Sequence, residues 1–218
     1  MYLTLIFTIV PSILIAFYII FSDRFREPVL PVIYAFLLGF LIIIPAGLLN
    51  TILIFSNENP ANFSFIAGFT EEPLKFILLY LFLRKQNEFN EPIDAIVYAT
   101  LLSLGFATLE NFEYVYLSDL EISSLLIAFI RAFTAIPLHA CCGVVMGYYL
   151  GLYIFQGPKI LLLKSICLPI LIHSFYNYLC DVSLLVSLFY LVIIFLFAKS
   201  LLKKLKALQI KKDIEKEV

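Results

Sequence analysis

Two adjacent glutamates, Glu71 and Glu72, lie inside an apolar stretch that runs from residue 63 to 83. Because a carboxylate in hydrocarbon costs several kcal/mol, a sequence seldom places two there without a function for them. Further acidic and imidazole side chains lie inside or at the edges of other apolar stretches: Glu110, Glu113, His139 and His173. Carboxylates and imidazoles are the groups that act as general acids and bases on water, so the pattern predicts chemistry of that kind.

The spacing of these residues places several of them on shared helix faces. Lys75 follows Glu71 by four residues and Glu72 by three, so its ammonium can partner either carboxylate. Glu110 and Glu113 are three apart and also share a face. The sequence therefore predicts a supporting role for Lys75 and for Glu113.

The two histidines have neighbours that suit a site between helices. Asn177 follows His173 by four residues, so it lies on the same face and is predicted to orient His173 or a bound carbonyl. His139 begins a row of small residues at four-residue spacing, which would let another helix approach closely along the histidine face. The members of that row are Gly143, Gly147 and Gly151.

The set lacks the context of a covalent nucleophile, since no Gly-x-Ser-x-Gly sequence occurs. What remains is activation of water by a glutamate, with the histidines or Asn177 stabilising the oxyanion of a tetrahedral intermediate. The His-Glu-x-x-His motif of common zinc peptidases is absent, so no metal cofactor is expected. The sequence leaves zinc open as the alternative, with Glu72, His139 and His173 as its ligands.

The composition indicates that most of this chain is surrounded by lipid. Its 218 residues are 62% hydrophobic and only 14% charged, with a mean hydropathy of +1.01. A soluble domain of this length could not bury so much apolar surface, and a bilayer admits only helices or closed barrels. The apolar runs are about 20 residues or longer and do not alternate with polar residues, so helices are predicted.

Short polar segments separate the apolar runs and predict an all-α fold: a polytopic membrane helical bundle with about seven transmembrane helices. The fifth stretch is long and contains Pro137, so residues 123–135 are predicted to form an interfacial or re-entrant segment; a full crossing there would make eight helices. Residues 1–202 would form one membrane domain, and residues 203–218 a basic cytoplasmic tail. The predicted spans are 1–21, 29–56, 63–83, 93–117, 123–155, 160–180 and 182–202.

The basic residues predict how the bundle is oriented. Connections that contain Lys or Arg alternate with connections that contain neither, and seven lysines follow from residue 199 onward. The positive-inside rule then places the N-terminus outside and the C-terminal tail in the cytoplasm. At about 1.5 Å per residue, Glu71, Glu110 and His173 all lie about 10 to 12 Å below the outer boundary. Polar groups from separate helices are thus predicted to meet within the outer leaflet.

Four sequence motifs together resemble the PrsW family of bacterial intramembrane proteases, relatives of the CAAX prenyl endopeptidases. The similarity covers nearly the whole chain, including the loop with Arg26-Glu27-Pro28, and the second motif is the most specific. The motifs are Glu71-Glu72-Pro73-Leu74-Lys75, then Ser103-Leu104-Gly105-Phe106-Ala107-Thr108-Leu109-Glu110-Asn111, then His139-Ala140 with Gly143 and Met146-Gly147-Tyr148-Tyr149-Leu150-Gly151, and His173 with Tyr176-Asn177.

This resemblance implies a function in a bacterial cell membrane. Members of the family cleave a single-pass anti-sigma factor at site 1, on its extracytoplasmic side, which leads to release of an extracytoplasmic-function sigma factor. The implied partners are therefore that substrate and the lipid bilayer, and no nucleic acid is expected. The implied mechanism uses either a glutamate-activated water or a metal. By motif position, the implied catalytic set is Glu71, Glu72, Glu110, His139 and His173.

Our hypothesis from the sequence is that Glu71 or Glu72 activates a water while His173 and His139 stabilise the oxyanion. Glu110 would orient one histidine, and Lys75 would keep its neighbouring carboxylate ionised.

Two other classes of function use similar residues. A proton-coupled secondary transporter would place polar groups on both sides of the midplane within a two-fold repeat, and neither is visible here. A non-enzymatic membrane scaffold would leave the buried carboxylates without a reason.

Overall fold

The structure is a computed structural model that describes residues 2–118 and 122–217, with side chains described as far as residue 210. Within these ranges the chain forms helices and no strand, which confirms the predicted all-α bundle. The helices are α1 (Tyr2–Ile20), α2 (Val29–Asn50) continued by a π-helical turn (Thr51–Phe55), a 3-10 turn (Pro60–Phe63), α3 (Ile66–Leu83), α4 (Pro92–Tyr116), α5 (Ser124–Phe133), α6 (Ala135–Gln156), α7 (Lys159–Val182) and α8 (Leu184–Glu217).

Six helical segments of the described chain are long and apolar enough to cross a membrane. They are Tyr2–Ile20, Val29–Phe55, Pro92–Tyr116, Ser124–Gln156, Lys159–Val182 and Leu184–Ile210. The one predicted span outside this set is 63–83, which corresponds to α3. This helix has 18 residues but carries three charged side chains, Glu71, Glu72 and Lys75. At about 1.5 Å per residue α3 is about 27 Å long, close to the thickness of a hydrocarbon core of about 30 Å.

Helix α4 lies at the centre of the bundle. In its most apolar window 83% of the residues are buried, against 28% in α1. It packs most extensively on α6 and then on α2 and α1. A helix that is apolar on all sides belongs in such a position, whereas the outer helices turn one apolar face to the lipid. Glu110 therefore projects from the element that the rest of the bundle surrounds.

Glycines on α6 allow it to approach α4 closely, as the sequence predicts. A Cβ on Gly143 would lie 2.7 Å from the Cα of Thr100, and one on Gly147 would lie 2.3 Å from the carbonyl oxygen of Ala95. Distances this short leave room only for hydrogen on these faces. Because His139 lies one turn before Gly143 on α6, the close approach also sets its distance from Glu110 on α4.

The segment 123–135 forms the short helix α5 rather than a full crossing. Its 10 residues give about 15 Å, half the thickness of the apolar core. The Ser123 hydroxyl accepts a hydrogen bond from the amide of Leu126 at its start, and the chain breaks at Thr134, where φ is −125° and ψ is −76°. Pro137 follows the break by three residues and therefore lies in the first turn of α6. A proline fits there because the amide groups of a first turn have no helical partner.

Distinct contacts link the elements at the two ends of the bundle. At one end, the Gln209 Nε2 of α8 donates to Asp23 Oδ1 over 2.8 Å and to Glu91 Oε2 over 3.2 Å. At the other end, the Ser64 hydroxyl donates to Asp181 over 2.6 Å. Helix α8 runs unbroken past residue 202, so the division into a membrane domain and a tail stays a prediction.

Replacing Gly147 by alanine should lower the free energy of unfolding by about 1 to 3 kcal/mol, because the new methyl group has no space against α4. Unfolding in mixed detergent micelles measures the effect. Gly47→Ala is the matched control: a Cβ there meets nothing within 4 Å, so this variant should be unchanged or more stable by up to about 1 kcal/mol. Equal stability of the two variants would contradict the packing.

Candidate active site

The five predicted catalytic residues come together from four helices. Helix α3 supplies Glu71, Glu72 and also Lys75, and α4, α6 and α7 each supply one residue, which are Glu110, His139 and His173. Each of these residues except Glu110 is 3% exposed or less. The structure thus joins them in one hydrogen-bonded cluster in the interior of the bundle.

The ammonium group of Lys75 lies at the centre of this cluster. Its Nζ is 2.8 Å from Glu72 Oε1 and 3.4 Å from Glu71 Oε2. It is also 3.0 Å from His139 Nδ1 and 4.1 Å from the ring centroid of Phe106. Two buried carboxylates would repel each other, and one fully buried ammonium within reach of both reduces that cost.

His173 contacts the same carboxylate from the side of α7. Its Nδ1 is 3.0 Å from Glu72 Oε1 and 3.8 Å from Glu71 Oε2. An ionised carboxylate only accepts hydrogen bonds, so Nδ1 of His173 is the donor in this contact. Its Nε2 is then left for a ligand, and His173 contributes to a cavity wall. The rings of His139 and His173 pack edge to face, with centroids 4.9 Å apart.

Glu110 holds His139 from the side opposite Lys75. Its Oε2 lies 3.0 Å from His139 Nε2 and 2.7 Å from a guanidinium nitrogen of Arg131. Arg131 also donates from Nε to Asn111 over 2.9 Å and lies 3.9 Å above the ring of Tyr114. Because His139 donates to Glu110 through Nε2, its Nδ1 accepts from Lys75. Arg131, on α5, is thereby paired with a carboxylate of the cluster.

Two adjoining cavities reach the cluster. One has a volume of about 560 Å³ and includes His139 and His173 in its wall. The other has about 540 Å³ and lies between α2 and α4. Glu71 lines both cavities, whereas Glu72 lines neither of them. The two adjacent glutamates therefore differ in position: Glu71 faces the space where a ligand can lie, and Glu72 lies behind it.

The structure adds Asn50 to the residues that the sequence identifies. Its Nδ2 donates to Glu71 Oε1 over 3.2 Å, and its Oδ1 accepts from the Thr70 hydroxyl over 2.6 Å. Asn50 ends α2, at the π-helical turn. A single amide near the end of a long apolar run was the only signal in the sequence. Only the packing of α2 on α3 shows that this amide holds Glu71.

The remaining supporting residues lie outside the hydrogen-bonded cluster. Asn177 donates from Nδ2 to the carbonyl oxygen of Ser64 over 3.1 Å and lines the larger cavity. Its amide is thus bonded to the segment before α3 and not to His173. Glu113 is exposed and lines the cavity between α2 and α4. Lys75 is the one predicted supporting residue that belongs to the cluster itself.

The cluster fits a divalent metal in donor type and spacing. Glu71, Glu72, His139 and His173 each offer one ligand atom, and these atoms all lie within 4.8 Å of one another. Oxygen Oε2 of Glu72 is buried and has no hydrogen-bond partner within the described chain. Histidine nitrogens together with a carboxylate form a common set of zinc ligands. The unpartnered oxygen is a coordination position that the protein itself does not use.

Replacing Lys75 by methionine should lower the free energy of unfolding by about 3 to 5 kcal/mol, because it leaves buried carboxylates without their ammonium. Combining it with Glu72→Gln should recover part of the loss. Unfolding in mixed micelles measures both variants. Lys164→Met, at an exposed position on α7, is the control and should change stability by about 0.5 kcal/mol or less. A Lys75 variant as stable as this control would show that the ammonium does not stabilise the cluster.

Comparison with known proteins agrees with the geometry. Residues 27–201 match the family described as PrsW family intramembrane metalloprotease. The Protease PrsW of Clostridioides difficile (strain 630) is 34% identical over 181 residues, covering 78% of this chain and 76% of that protein. The Protease PrsW of Bacillus subtilis (strain 168) is 36% identical over 177 residues, covering 78% of this chain and 79% of that protein.

A third relative, the Protease PrsW of Halalkalibacterium halodurans, is 38% identical over 151 residues, covering 67% of this chain and 68% of that protein. No solved structure is significantly similar to this chain. The described metalloprotease character of the family favours the metal-dependent alternative over the metal-free expectation from the sequence. The resemblance seen in the motifs is confirmed: the chain belongs to the PrsW family of intramembrane proteases.

Proposed function

We propose that this membrane peptidase performs site-1 cleavage of a single-pass anti-sigma factor, with Glu71 as the general base. The observation that carries the proposal is the position of Glu71, a carboxylate 1% exposed that lines both cavities. A general base must lie within hydrogen-bond reach of the water that it deprotonates. Of the two adjacent glutamates, Glu71 alone lines the space that admits water and a peptide.

The hydrolysis requires one water and one proton carrier. Glu71 removes a proton from the water, and the resulting hydroxide adds to the carbon of the scissile carbonyl. The C–N bond then breaks, and Glu71 delivers the proton to the leaving nitrogen, which gives a carboxylic acid and an amine. Asn50 donates to Glu71 Oε1 over 3.2 Å, which leaves Oε2 directed at the cluster. The amide therefore holds the base in one orientation.

His173 is the histidine of the cluster that is free to serve the charge that develops on the carbonyl oxygen. His173 is fixed through Nδ1 by Glu72, so its Nε2 can be directed into the cavity. His139 is held between Glu110 and Lys75. Groups that are held in place before the reaction stabilise an oxyanion without reorganising during it. Glu110 and Lys75 are positioning residues in this proposal.

The same donors define how a metal would be held. We assign Glu72, His139 and His173 as its ligands, since their donor atoms lie within 4.8 Å of one another and Glu72 Oε2 is unpartnered. A bound zinc supplies Lewis-acid polarisation of a carbonyl and lowers the pKa of a bound water. Lys75 lies among the same atoms, so in the loaded site its ammonium would be left with Glu71.

The substrate class follows from the setting of the site. Both cavities lie within the helical bundle, and their walls combine apolar side chains with the carboxylates of the cluster. A polypeptide that reaches them must enter from the membrane or its boundary, which suits a protein with one transmembrane helix. The family membership supports a peptide bond as the target.

The positive-inside rule supports cleavage on the extracytoplasmic side. The basic residues Arg24 and Arg26 lie in the loop between α1 and α2, and Lys203 and Lys204 lie on α8. These elements meet at the end of the bundle where Gln209 contacts Asp23. The cluster lies nearer the opposite end, where Asn177 bonds to Ser64. With the basic end in the cytoplasm, the chain has its N-terminus outside.

Glu71→Gln should lower the rate of cleavage by about 10²- to 10⁴-fold while the protein still folds and inserts, because the amide cannot accept a proton from water. The measurement is the appearance of a shortened anti-sigma factor after co-reconstitution in liposomes. Glu58→Gln, an exposed carboxylate in the loop after α2, is the control and should cleave as the wild type does. Cleavage of a different single-pass protein, but not of anti-sigma factors, would contradict the proposed substrate and leave the assignment of Glu71 as the base intact.

The metal assignment predicts about one equivalent of zinc in the purified active protein. A chelator should abolish cleavage, and added zinc should restore it. Glu72→Gln and His173→Ala should each lower the bound metal by at least about tenfold, since each removes a ligand. Metal content is measured by mass spectrometry of the folded protein. Full activity in protein that contains no metal would instead favour water activation by Glu71 without a metal.

A further inference from the structure

Three carboxylates meet at the end of the bundle opposite the proposed active site. Asp23 and Glu27 belong to the loop between α1 and α2, and Asp94 lies in the first turn of α4. One oxygen from each lies within 4.8 Å of the oxygens of the other two. Asp23 is 4% exposed and Asp94 is 2% exposed. The described chain thus holds a second acidic cluster, separate from the histidine-containing one.

The hydrogen bonds of this second cluster come from neutral donors. Asp94 Oδ2 accepts from the amides of Asn90 and Glu91 over 2.9 and 2.8 Å, in a capping box at the start of α4. Glu27 Oε2 accepts from the hydroxyl of Tyr98. Asp23 Oδ1 accepts from the amide of Phe25 over 3.1 Å. Neutral donors satisfy lone pairs but add no positive charge to the cluster.

The electrostatics of the loop residues reflect this crowding. Burial raises the pKa of Asp23, and the nearby carboxylate of Glu91 raises it further. Burial also raises the pKa of Glu27, and the charges of Asp23 and Glu88 add to the rise. Hydrogen bonds to both groups act in the opposite direction without cancelling these effects.

Two buried oxygens at this place have no hydrogen-bond partner within the described chain. They are Oδ2 of Asp23 and Oε1 of Gln209. Gln209 is 4% exposed and reaches the cluster from α8, where its Nε2 donates to Asp23 Oδ1 over 2.8 Å. A buried polar atom without a partner is destabilising. Because Nε2 of the same amide bonds to Asp23, the unpartnered carbonyl oxygen of Gln209 belongs to a side chain that already contacts the cluster.

We infer that Asp23, Glu27, Asp94 and Gln209 bind a hard divalent cation, Mg²⁺ or Ca²⁺. The donors are carboxylate oxygens and one amide oxygen, which is the set that these cations prefer. The histidine nitrogens of the other cluster, by contrast, suit zinc. This cation would tie α8 to the loop between α1 and α2 and to the start of α4. The inference does not depend on the proposed substrate or catalytic base.

The test uses the full-length protein, purified in detergent and stripped with a chelator. Adding Ca²⁺ or Mg²⁺ should raise the temperature of unfolding in a saturable manner, because a ligand that binds only the folded state stabilises it. Asp23→Asn and Glu27→Gln should each weaken the apparent affinity by at least about tenfold, as each removes a charged ligand. Glu27→Gln keeps an oxygen that can accept from Tyr98, so it serves if Asp23→Asn fails to fold.

Two controls separate this site from its surroundings and from the active site. Glu88→Gln removes an exposed carboxylate nearby, and Glu72→Gln removes a proposed ligand of the catalytic metal; both should keep the stabilisation by Ca²⁺ or Mg²⁺. Electron paramagnetic resonance measures how much Mn²⁺ the protein binds. One equivalent of bound Mn²⁺ should be lost in Asp23→Asn and retained in Glu72→Gln. Stabilisation that survives in both Asp23→Asn and Glu27→Gln, or none in the wild type, would overturn the inference. The inference would also be overturned if a lower pH raised the temperature of unfolding while added Ca²⁺ or Mg²⁺ did not, since this would mean that the carboxylates share protons.

Discussion

The contact between Lys75 and Glu72 is the interaction on which the rest of the site depends. Both side chains are fully buried, and their charged atoms lie 2.8 Å apart. In an apolar interior an unpaired charge has a high free-energy cost, and each of these two charges lowers that cost for the other. The same ammonium reaches Glu71 and His139. One lysine thus permits an interior cluster of two adjacent carboxylates and two imidazoles.

The cluster also depends on how closely the helices pack. The row of glycines on α6 brings His139 within hydrogen-bond distance of Glu110 on α4. A second close approach, at Gly68, brings α3 against α7, since a Cβ there would lie 2.3 Å from the Ser174 hydroxyl. Without a hydrophobic driving force between helices in lipid, small residues and polar contacts hold a bundle together. The residues that bind the helices to one another are therefore neighbours of the residues that perform the chemistry.

The two acidic clusters illustrate two ways of placing carboxylates in one protein. Near the proposed active site, Lys75 and Arg131 supply positive charges to the glutamates. At the other end, the hydrogen bonds described for Asp23 and Glu27 come from amides and a hydroxyl. The first arrangement leaves Glu71 facing an open cavity with its neighbour already neutralised. The second leaves charge uncompensated by those donors, which is the setting in which a cation binds.

The sequence by itself determined the fold class, a bundle of about seven helices, and the five residues that the cluster joins. Long apolar runs can only be membrane helices, and charged groups inside them are costly enough to mark a site. Only the tertiary structure decided the partners: that Asn50 holds Glu71, that Arg131 pairs with Glu110 and that Gln209 reaches Asp23. These contacts join residues at least 20 positions apart on different elements, so no helical periodicity connects them. Periodicity reports which face of one helix a residue occupies, whereas the choice of partner depends on how two helices rotate and pack.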